Sequence, residues 1–379
     1  FSRRFFIYLK NKGVLPMAQT VTFAGYTIGY GQETYEQLIP ICSRYGKKIV
    51  VIGGEKALAA AKPYITEAVK DSDLEILGFE WFGGVASYEN VDRLKELDTV
   101  KNADMVFGVG GGKAIDTAKC TAFQTGKPLF TFPTIAATCA STTAIGVMYY
   151  PNGVQKDVFI ANRPAIHNFI NLDIIAQAPP VYLWAGIGDT LAKFTEVPFS
   201  SRGHELEMAH KDALPLCMSK MTGEPLLQYG KQAMDDVKAG KSSFALEQVV
   251  LAVVITSGMV SYLIDSYKYN SNMGHAIFYG MTVLPQIEER HLHGEVVSYG
   301  VLCMLMMDKQ MDLLDRIYKF MKSIGLPTKL ADMEVTLDEM GPALDSAVTK
   351  YDIECSPYKI TKELMYQAVV DLKEYNKTH

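Results

Sequence analysis

The sequence has few of the features that mark membrane, secreted or nucleic-acid-binding proteins. Its 379 residues include 42 acidic and 37 basic side chains, a formal net charge of −5, so we expect no basic surface for nucleic acid or anionic lipid. The six cysteines form no CxxC pair, which argues against a disulfide framework or thiolate zinc site and for a reducing, cytoplasmic compartment. We expect no apolar run of the roughly 18 residues that span a membrane. A globular protein of this length is large enough for two domains.

The first residues are unlike the rest of the chain. Residues 1–16 are basic and then apolar, but the apolar stretch Phe5–Leu9 is shorter than the roughly 7–15 residues of a secretory signal. Met17 precedes a plausible native start. We therefore expect residues 1–16 to be a tag or other non-native leader and leave them out of the fold prediction.

Two patterns of predicted secondary structure divide the remaining chain. From residue 17 to 176, short apolar strands alternate with helical segments, for example strand Met105–Phe107 and the helix that follows from Lys113. Such alternation predicts a Rossmann-like α/β domain with a mostly parallel sheet. After residue 176 the strand signals fade and long helical stretches follow. We therefore predict an α/β dinucleotide-binding domain at 17–176 and an all-α metal and substrate domain at 177–379.

The glycine-rich segment Gly108–Gly112 is the strongest local signal. It lies between a predicted strand and a predicted helix, where glycine lets a phosphate approach the backbone N–H groups of a helix N-terminus. The segment is not a P-loop, which needs glycine at Phe107 and serine or threonine at Ala114. It is not GxGxxG either, because Lys113 replaces the third glycine. Alone it predicts a phosphate-bearing ligand, with a tight turn without ligand as the alternative.

Three other segments carry candidate functional groups. The small and hydroxyl residues of 133–143 follow a strand end, where open α/β sheets bind ligands. Asp189 begins a helical stretch after two glycines, and His275 and His293 lie near glycines later in the chain. Their alternatives are a polar loop, a helix N-cap and ordinary polar contacts. One aspartate and two histidines nevertheless form a sensible ligand set for a divalent metal with an open position.

Taken together, these segments resemble the glycerol dehydrogenase branch of the iron-containing alcohol dehydrogenase family. The similar stretches occur in the family's order: GVGGGKAIDTAK at 108–119, PTIAATCAS at 133–141, AGIGDTLAKFTE at 185–196, and GHAIFYG with LHGEVVSYG between 274 and 300. The resemblance runs from about residue 20 to the end. It implies the dehydroquinate synthase-like fold, a Rossmann-like domain followed by an all-α domain, and a homo-oligomer.

The resemblance also implies a cleft between the domains for NAD(P), a divalent metal and a small-molecule substrate. Asp189, His275 and His293 would hold the metal, with Zn²⁺ expected, Fe²⁺ or Ni²⁺ as alternatives, and His291 as the next candidate ligand. These ligands would act in catalysis through the metal, which would polarise the substrate as a Lewis acid. The implied cofactor-binding residues are Gly110, Gly111, Gly112, Lys113, Asp116, Thr134, Thr138, Thr143, Ile145 and Tyr149.

Two positions depart from the branch's usual pattern. Cys139 stands where glycerol dehydrogenases have an aspartate that contacts the polyol, and this segment is similar to the hydroxycarboxylate dehydrogenase A type, which reduces 2-oxo acids. A carboxylate beside the metal would repel an anionic substrate, whereas a neutral thiol would not. We therefore predict hydride transfer between NAD(P)H and a 2-oxo acid/2-hydroxy acid pair, with glycerol (polyol) dehydrogenase as the alternative. Phe278 stands where the family often has a second histidine.

The choice of cofactor depends on the end of the first strand. Glycerol dehydrogenases have an aspartate there that binds the adenosine ribose 2′-hydroxyl. Here the strand is followed by Glu55 and Lys56. The missing aspartate and the nearby lysine favour NADPH, whereas Glu55 as a ribose acceptor would favour NADH. A lyase-type relative such as dehydroquinate synthase and a non-catalytic nucleotide-binding protein are further alternatives.

Overall fold

The computed structural model describes residues 20–23, 25–264 and 268–379, so the predicted leader at 1–16 lies outside the described residues. Its strands are β1 Val21–Phe23, β2 Tyr26–Gly29, β3 Lys48–Gly53, β4 Glu75–Trp81, β5 Met105–Gly110, β6 Leu129–Pro133, β7 Ile145–Tyr149, β8 Gln155–Ile160 and β9 His167–Asn171. Seven of them form one sheet in the order β1-β2-β9-β6-β5-β3-β4. Strands β7 and β8 form a separate antiparallel hairpin.

The main sheet is parallel except for β1, which pairs antiparallel with β2 at one edge. The chain passes from β3 outward to β4, returns to β5 and continues to β6 on the other side of β3. The direction in which strands are added therefore reverses between β3 and β5. In open α/β sheets, ligands bind at the carboxyl ends of the strands at such a reversal. Here those ends are Gly53 and Gly110.

The central strands are apolar because both faces of the sheet are covered. In β3, Ile49 and Val51 pack into one core cluster, while Val50 and Ile52 pack into another on the opposite face. Parallel strands buried on both faces read as continuous apolar runs rather than as an alternating pattern. The Rossmann-like α/β prediction for the first half of the chain is confirmed.

The helices of the first half cover this sheet, and those of the second half form the rest of the protein. The first group is α1 Leu38–Cys42, α2 Glu55–Val69, α3 Tyr88–Glu96, α4 Asp98–Asn102 and α5 Gly112–Gln124. The second group is α6 Leu172–Gln177, α7 Pro180–Ser201, α8 His210–Lys238, α9 Phe244–Val250, α10 Ser257–Leu263, α11 Met273–Met281, α12 Pro285–Arg290, α13 His293–Met307, α14 Met311–Ile324, α15 Met340–Ala347 and α16 Lys362–Tyr375. A π-helical segment, Leu251–Thr256, joins α9 to α10, and 3₁₀ turns lie at Gly31–Tyr35, Ser43–Tyr45, Leu330–Met333 and Tyr351–Ile353.

The helical second half shares a hydrophobic core with the sheet. Ile28 of β2 and Ile170 of β9 belong to the same cluster as Leu191 of α7 and Val297 of α13. Within the described residues, no strand follows β9, so the helical character predicted for the second half is confirmed. The boundary at residue 176 stays a prediction.

Two expectations need correction. Strand β5 continues through Gly108 to Gly110, so the glycine turn is shorter than predicted and α5 begins directly at Gly112. The helical run Phe244–Leu263 is long and apolar enough to cross a membrane, contrary to the prediction that no run is. However, 72% of its most apolar window is buried inside the protein. A helix that is apolar on all sides and surrounded by protein belongs to the core.

Glycines bring the backbone of α7 into direct contact with its neighbours. A Cβ on Gly294 would lie 1.9 Å from the carbonyl oxygen of Ala185, and one on Gly188 would lie 2.3 Å from the carbonyl oxygen of Gly294. A Cβ on Gly186 would lie 2.1 Å from the carbonyl oxygen of Ala136, in the segment that follows β6. Helix α7 is therefore held at van der Waals distance from both α13 and the end of the sheet.

Substitution of one of these glycines tests the contact. We expect Gly294→Ala to lower the free energy of unfolding by about 3 kcal/mol, because the added methyl group must separate two backbones. Gly341→Ala in α15 is the matched control, since no atom lies within 4 Å of its new Cβ. The control should unfold like the wild type or be up to about 1 kcal/mol more stable. Chemical denaturation measures both, and wild-type stability of Gly294→Ala would contradict the close contact.

Candidate active site

The glycine turn lies where the sheet direction reverses and is shaped to receive an anion. Gly110 has a φ of 140°, which glycine adopts far more readily than other residues. Helix α5 begins at Gly112, so the first N–H groups of the helix have no partner within it and lie at its positive end. The ammonium of Lys113 lies over the ring of Tyr149, with Nζ 5.0 Å from the centroid. These groups fit the pyrophosphate of a dinucleotide.

The segment after β6 lies against this turn. The N–H of Thr134 donates to the carbonyl oxygen of Gly110 at 3.1 Å. The hydroxyl oxygen of Thr138 lies 3.5 Å from the position a Cβ on Gly112 would take. The structure thus brings the glycine turn, both threonines and the Lys113–Tyr149 contact to one edge of the sheet. Their contact with a cofactor stays a prediction.

Asp116 forms contacts within the protein, and its contact with a cofactor stays a prediction. Its buried carboxylate lies 3.0 Å from Nζ of Lys119 and accepts a hydrogen bond from the N–H of Val147 at 3.2 Å. Lys119 also donates to the carbonyl oxygen of Ile145, which accepts a hydrogen bond from Thr143 as well. Because both carboxylate oxygens are used within the protein, Asp116 positions the β7–β8 hairpin beside the cofactor edge.

The three predicted metal ligands come together. Asp189 lies on α7, His275 on α11, and His293 is the first residue of α13. One donor atom from each lies within 4.8 Å of the others. Oδ1 of Asp189 is 3.4 Å from Nε2 of His293 and 3.6 Å from Nε2 of His275. One carboxylate and two imidazoles suit Zn²⁺ and other first-row divalent metals, so this donor set fits the implied metal.

Glu196 orients one of these ligands, and sequence reasoning missed it. Its Oε2 lies 2.6 Å from Nδ1 of His275, and its Oε1 accepts from the N–H of the same residue at 3.0 Å. Since Nδ1 is occupied, Nε2 is left on the side of Asp189. In metal-binding histidines, the ring nitrogen that does not bind the metal usually donates to a carboxylate, a backbone carbonyl or a water. The signal was present in the sequence, because Asp189 and Glu196 lie two helical turns apart on one face of an apolar helix.

The charges of this cluster favour a cation. Burial alone would lower the pKa of His275, but Glu196 and Asp189 raise it to about 10. Burial alone would raise the pKa of Asp189, but hydrogen bonds and charge from His275 and His293 hold it well below its usual range. Both effects show that the cluster stabilises positive charge between its carboxylates. A divalent ion can take the place of the proton there.

Cys139 adds no negative charge to the cluster. Burial, together with the nearby charge of Asp189, raises the pKa of its thiol, which also has a hydrogen bond with Ser261. The side chain is therefore a neutral thiol at the edge of the predicted metal site.

Phe278 and His291, the other two positions singled out in the sequence, form contacts with neighbouring side chains. The rings of Phe278 and His293 form a T-shaped pair, with centroids 4.3 Å apart and an interplanar angle of 86°. His291, the alternative ligand, lies outside the metal cluster, and its Nδ1 is 2.9 Å from Oε1 of Glu295. Its Nε2 is buried and has no hydrogen-bond partner among the described residues.

Comparison with known proteins identifies the family to which the chain is similar. The iron-containing alcohol dehydrogenase family matches residues 26–168. Glycerol dehydrogenase of Thermotoga maritima is 32% identical to the chain over 304 residues, which are 78% of this chain and 81% of the relative. Hydroxycarboxylate dehydrogenase A of Escherichia coli K12 is 33% identical over 292 residues, 77% of this chain and 78% of the relative.

A solved structure is similar over nearly the whole chain. Glycerol dehydrogenase from Schizosaccharomyces pombe superposes with a TM-score of 0.82 at 23% identity, covering 96% of this chain and 93% of that one. At this identity the likeness concerns the fold. It extends over both the sheet and the helices that supply the candidate metal ligands.

Removing the charge of Glu196 tests how it supports the metal cluster. We expect Glu196→Gln to weaken divalent metal binding about 10- to 100-fold, because His275 loses the partner that orients it. Glu295→Gln changes the equivalent contact to His291, which is not in the cluster, and should alter the affinity less than about threefold. Competition with a chromophoric chelator measures both. Equal affinities in the two variants would contradict the role given to Glu196.

Proposed function

This chain belongs to the iron-containing alcohol dehydrogenase family, and we propose that it transfers a hydride between NAD(P)H and a 2-oxo acid/2-hydroxy acid pair. The proposal is carried by Cys139, a neutral thiol beside the metal cluster. A carboxylate at this position would repel an anionic substrate, whereas the thiol does not. Similarity to hydroxycarboxylate dehydrogenase A supports the same substrate class.

The residues of the site have separate tasks in this reaction. A divalent ion held by Asp189, His275 and His293, Zn²⁺ in our proposal with Fe²⁺ or Ni²⁺ as alternatives, would supply a Lewis acid, and the nicotinamide would supply the hydride. The glycine turn and Lys113 would bind the pyrophosphate. Glu196 keeps His275 in the orientation a ligand requires. His275 is buried, whereas Asp189 and His293 are partly exposed and so can be reached by a substrate.

Glycerol dehydrogenation is the second candidate function. It is favoured by the names of the relatives from Thermotoga maritima and Schizosaccharomyces pombe. A polyol needs acceptors for its hydroxyl groups, and a carboxylate accepts hydrogen bonds strongly. Cys139 offers only a weak sulfur acceptor and a weak S–H donor at this position.

For the cofactor we propose a preference for NADPH. Glu55 and Lys56 begin α2 directly after β3, at the same sheet edge as the glycine turn, and both are exposed. A lysine at this position can pair with the 2′-phosphate of NADPH. Glu55 is the competing feature, since it could accept a hydrogen bond from the ribose of NADH.

A substrate screen tests both proposals. Protein of known metal content is assayed with 2-oxobutyrate, 2-oxoglutarate and glycerol, each with the NADP and NAD couples in parallel. We expect kcat/KM for at least one oxo acid to exceed that for glycerol by about tenfold or more, a difference of about 1.4 kcal/mol in transition-state binding. Activity on glycerol with none on the oxo acids would reject the proposed substrate class.

Placing a carboxylate at position 139 tests whether the neutral thiol of Cys139 determines the substrate class. We expect Cys139→Asp to lower kcat/KM for 2-oxobutyrate about 100-fold, because the new charge lies near Asp189 and repels the substrate. Its activity on glycerol should rise. Cys139→Ser is the matched control, since it stays neutral and should keep activity within about fivefold. Unchanged oxo acid activity in Cys139→Asp, at equal metal content, would remove the basis of the proposal.

A further inference from the structure

Lys193 is a buried ammonium group that forms no ion pair among the described residues. The residue is 6% exposed. Its Nζ donates to the carbonyl oxygen and to Oδ1 of Asn270 at 2.6 and 2.9 Å. An ammonium group has three N–H donors, so these two bonds leave one over. Lys119, which is also buried, differs because it pairs with Asp116 at 3.0 Å.

A buried charge without a counter-charge is costly, so an anion is expected beside it. Among the described residues, the carboxylates close to Lys193 have other partners. Glu196 is close enough for the charge of Lys193 to contribute to lowering its pKa, but its oxygens are bound to His275, and Asp189 lies between the imidazoles of His275 and His293. Lys193 thus has one N–H donor left for an anionic ligand, and no direct ion pair among the described residues neutralises its charge.

The position of Lys193 indicates which anionic ligand it can bind. It lies four residues after Asp189 on α7, so both side chains lie on one face of the helix, with Cβ atoms about 5–6 Å apart. Its positive charge works against the rise in pKa at both Cys139 and His275. The ammonium thus lies close to the metal cluster and close to Cys139, the neutral residue beside that cluster.

We propose that Lys193 binds the carboxylate of the substrate, which makes it a specificity-determining residue; this rests on the proposed 2-oxo acid reduction. In a 2-oxo acid the carboxylate is bonded directly to the carbon of the reacting carbonyl. A cation one helical turn from a metal ligand matches that short separation. The ammonium donates two of its N–H groups to Asn270, and the third is left for the substrate. Neutral Cys139 removes a repulsion, and Lys193 supplies the attraction.

The test compares an acid with its neutral analogue. 1-Hydroxy-2-butanone carries CH₂OH where 2-oxobutyrate carries its carboxylate. In Lys193→Met we expect KM for 2-oxobutyrate to rise about 100-fold, because a charged hydrogen bond is lost, while kcat/KM for the hydroxyketone changes less than about threefold. Lys193→Arg keeps the charge and should recover at least about a tenth of wild-type activity on the acid. Lys220→Met, at an exposed position of α8, should behave as wild type.

A binding measurement separates this inference from the proposed function. Oxamate, an unreactive analogue of a 2-oxo acid, is titrated by calorimetry into protein loaded with metal and NAD(P)H. We expect Lys193→Met to bind it about 100-fold more weakly than the wild type. If the wild-type enzyme reduces no 2-oxo acid, the proposed function is overturned. The oxamate affinities of the wild type and Lys193→Met then still test whether Lys193 binds a carboxylate. Equal oxamate affinity in the wild type and Lys193→Met overturns the carboxylate site.

Two further results are decisive. Equal losses on the acid and the hydroxyketone in Lys193→Met, at wild-type metal content, would mean that Lys193 only supports the structure, and would overturn the proposal. If Lys193→Met does not fold, Lys193→Gln takes its place, since it keeps a donor for Asn270 without the charge. A selective loss on the acid in that variant supports the proposal, and an equal loss on both substrates overturns it.

Discussion

Contact between helix backbones at three glycines is the constraint on which the metal cluster depends. Each candidate ligand is a chain neighbour of a glycine in such a contact: Asp189 follows Gly188, His275 follows Gly274, and His293 precedes Gly294. Gly188 and Gly294 bring α7 and α13 together, and a Cβ on Gly300 of α13 would lie 2.6 Å from the carbonyl oxygen of Gly274 in α11. Packing that brings the glycines together therefore also brings together the three donor atoms. Ordinary helix spacings of about 8–10 Å between axes would leave these side chains farther apart.

The second constraint is the charge on one face of α7. Asp189, Lys193 and Glu196 lie along this face of a helix that is otherwise largely apolar and buried. Charged side chains in such buried surroundings are stabilised by opposite charges or hydrogen bonds. Asp189 has two imidazoles and Glu196 has one, whereas among the described residues Lys193 donates hydrogen bonds only to the oxygens of Asn270. The face is therefore arranged with a cation site at one end and an anion-binding ammonium one turn away, a pairing that suits an anionic substrate with a polarisable carbonyl.

Much of the fold could be predicted from the sequence, because a parallel sheet covered on both faces requires apolar strands alternating with helices. The length of β5 could not, since Gly108 and Gly110 read as turn residues but continue the strand. The metal ligands were found through family resemblance, because residues on three separate helices have no diagnostic local spacing. Glu196 and Lys193 were missed although they lie at helical intervals from Asp189. Three charged residues on one face of an otherwise apolar helix themselves indicate a candidate functional site.

The segment after β6 connects the two halves of the site. Thr134 binds the glycine turn, and the carbonyl oxygen of Ala136 meets α7 at Gly186. Around Cys139, the segment is held by its backbone. The N–H groups of Thr142 and Thr143 donate to the carbonyl oxygen of Cys139, and Lys119 donates to that of Ala140. Since none of these bonds uses the thiol, the side chain at position 139 can change while the distance between cofactor edge and metal cluster stays fixed. Substrate choice can therefore vary at this position on an unchanged framework for hydride transfer.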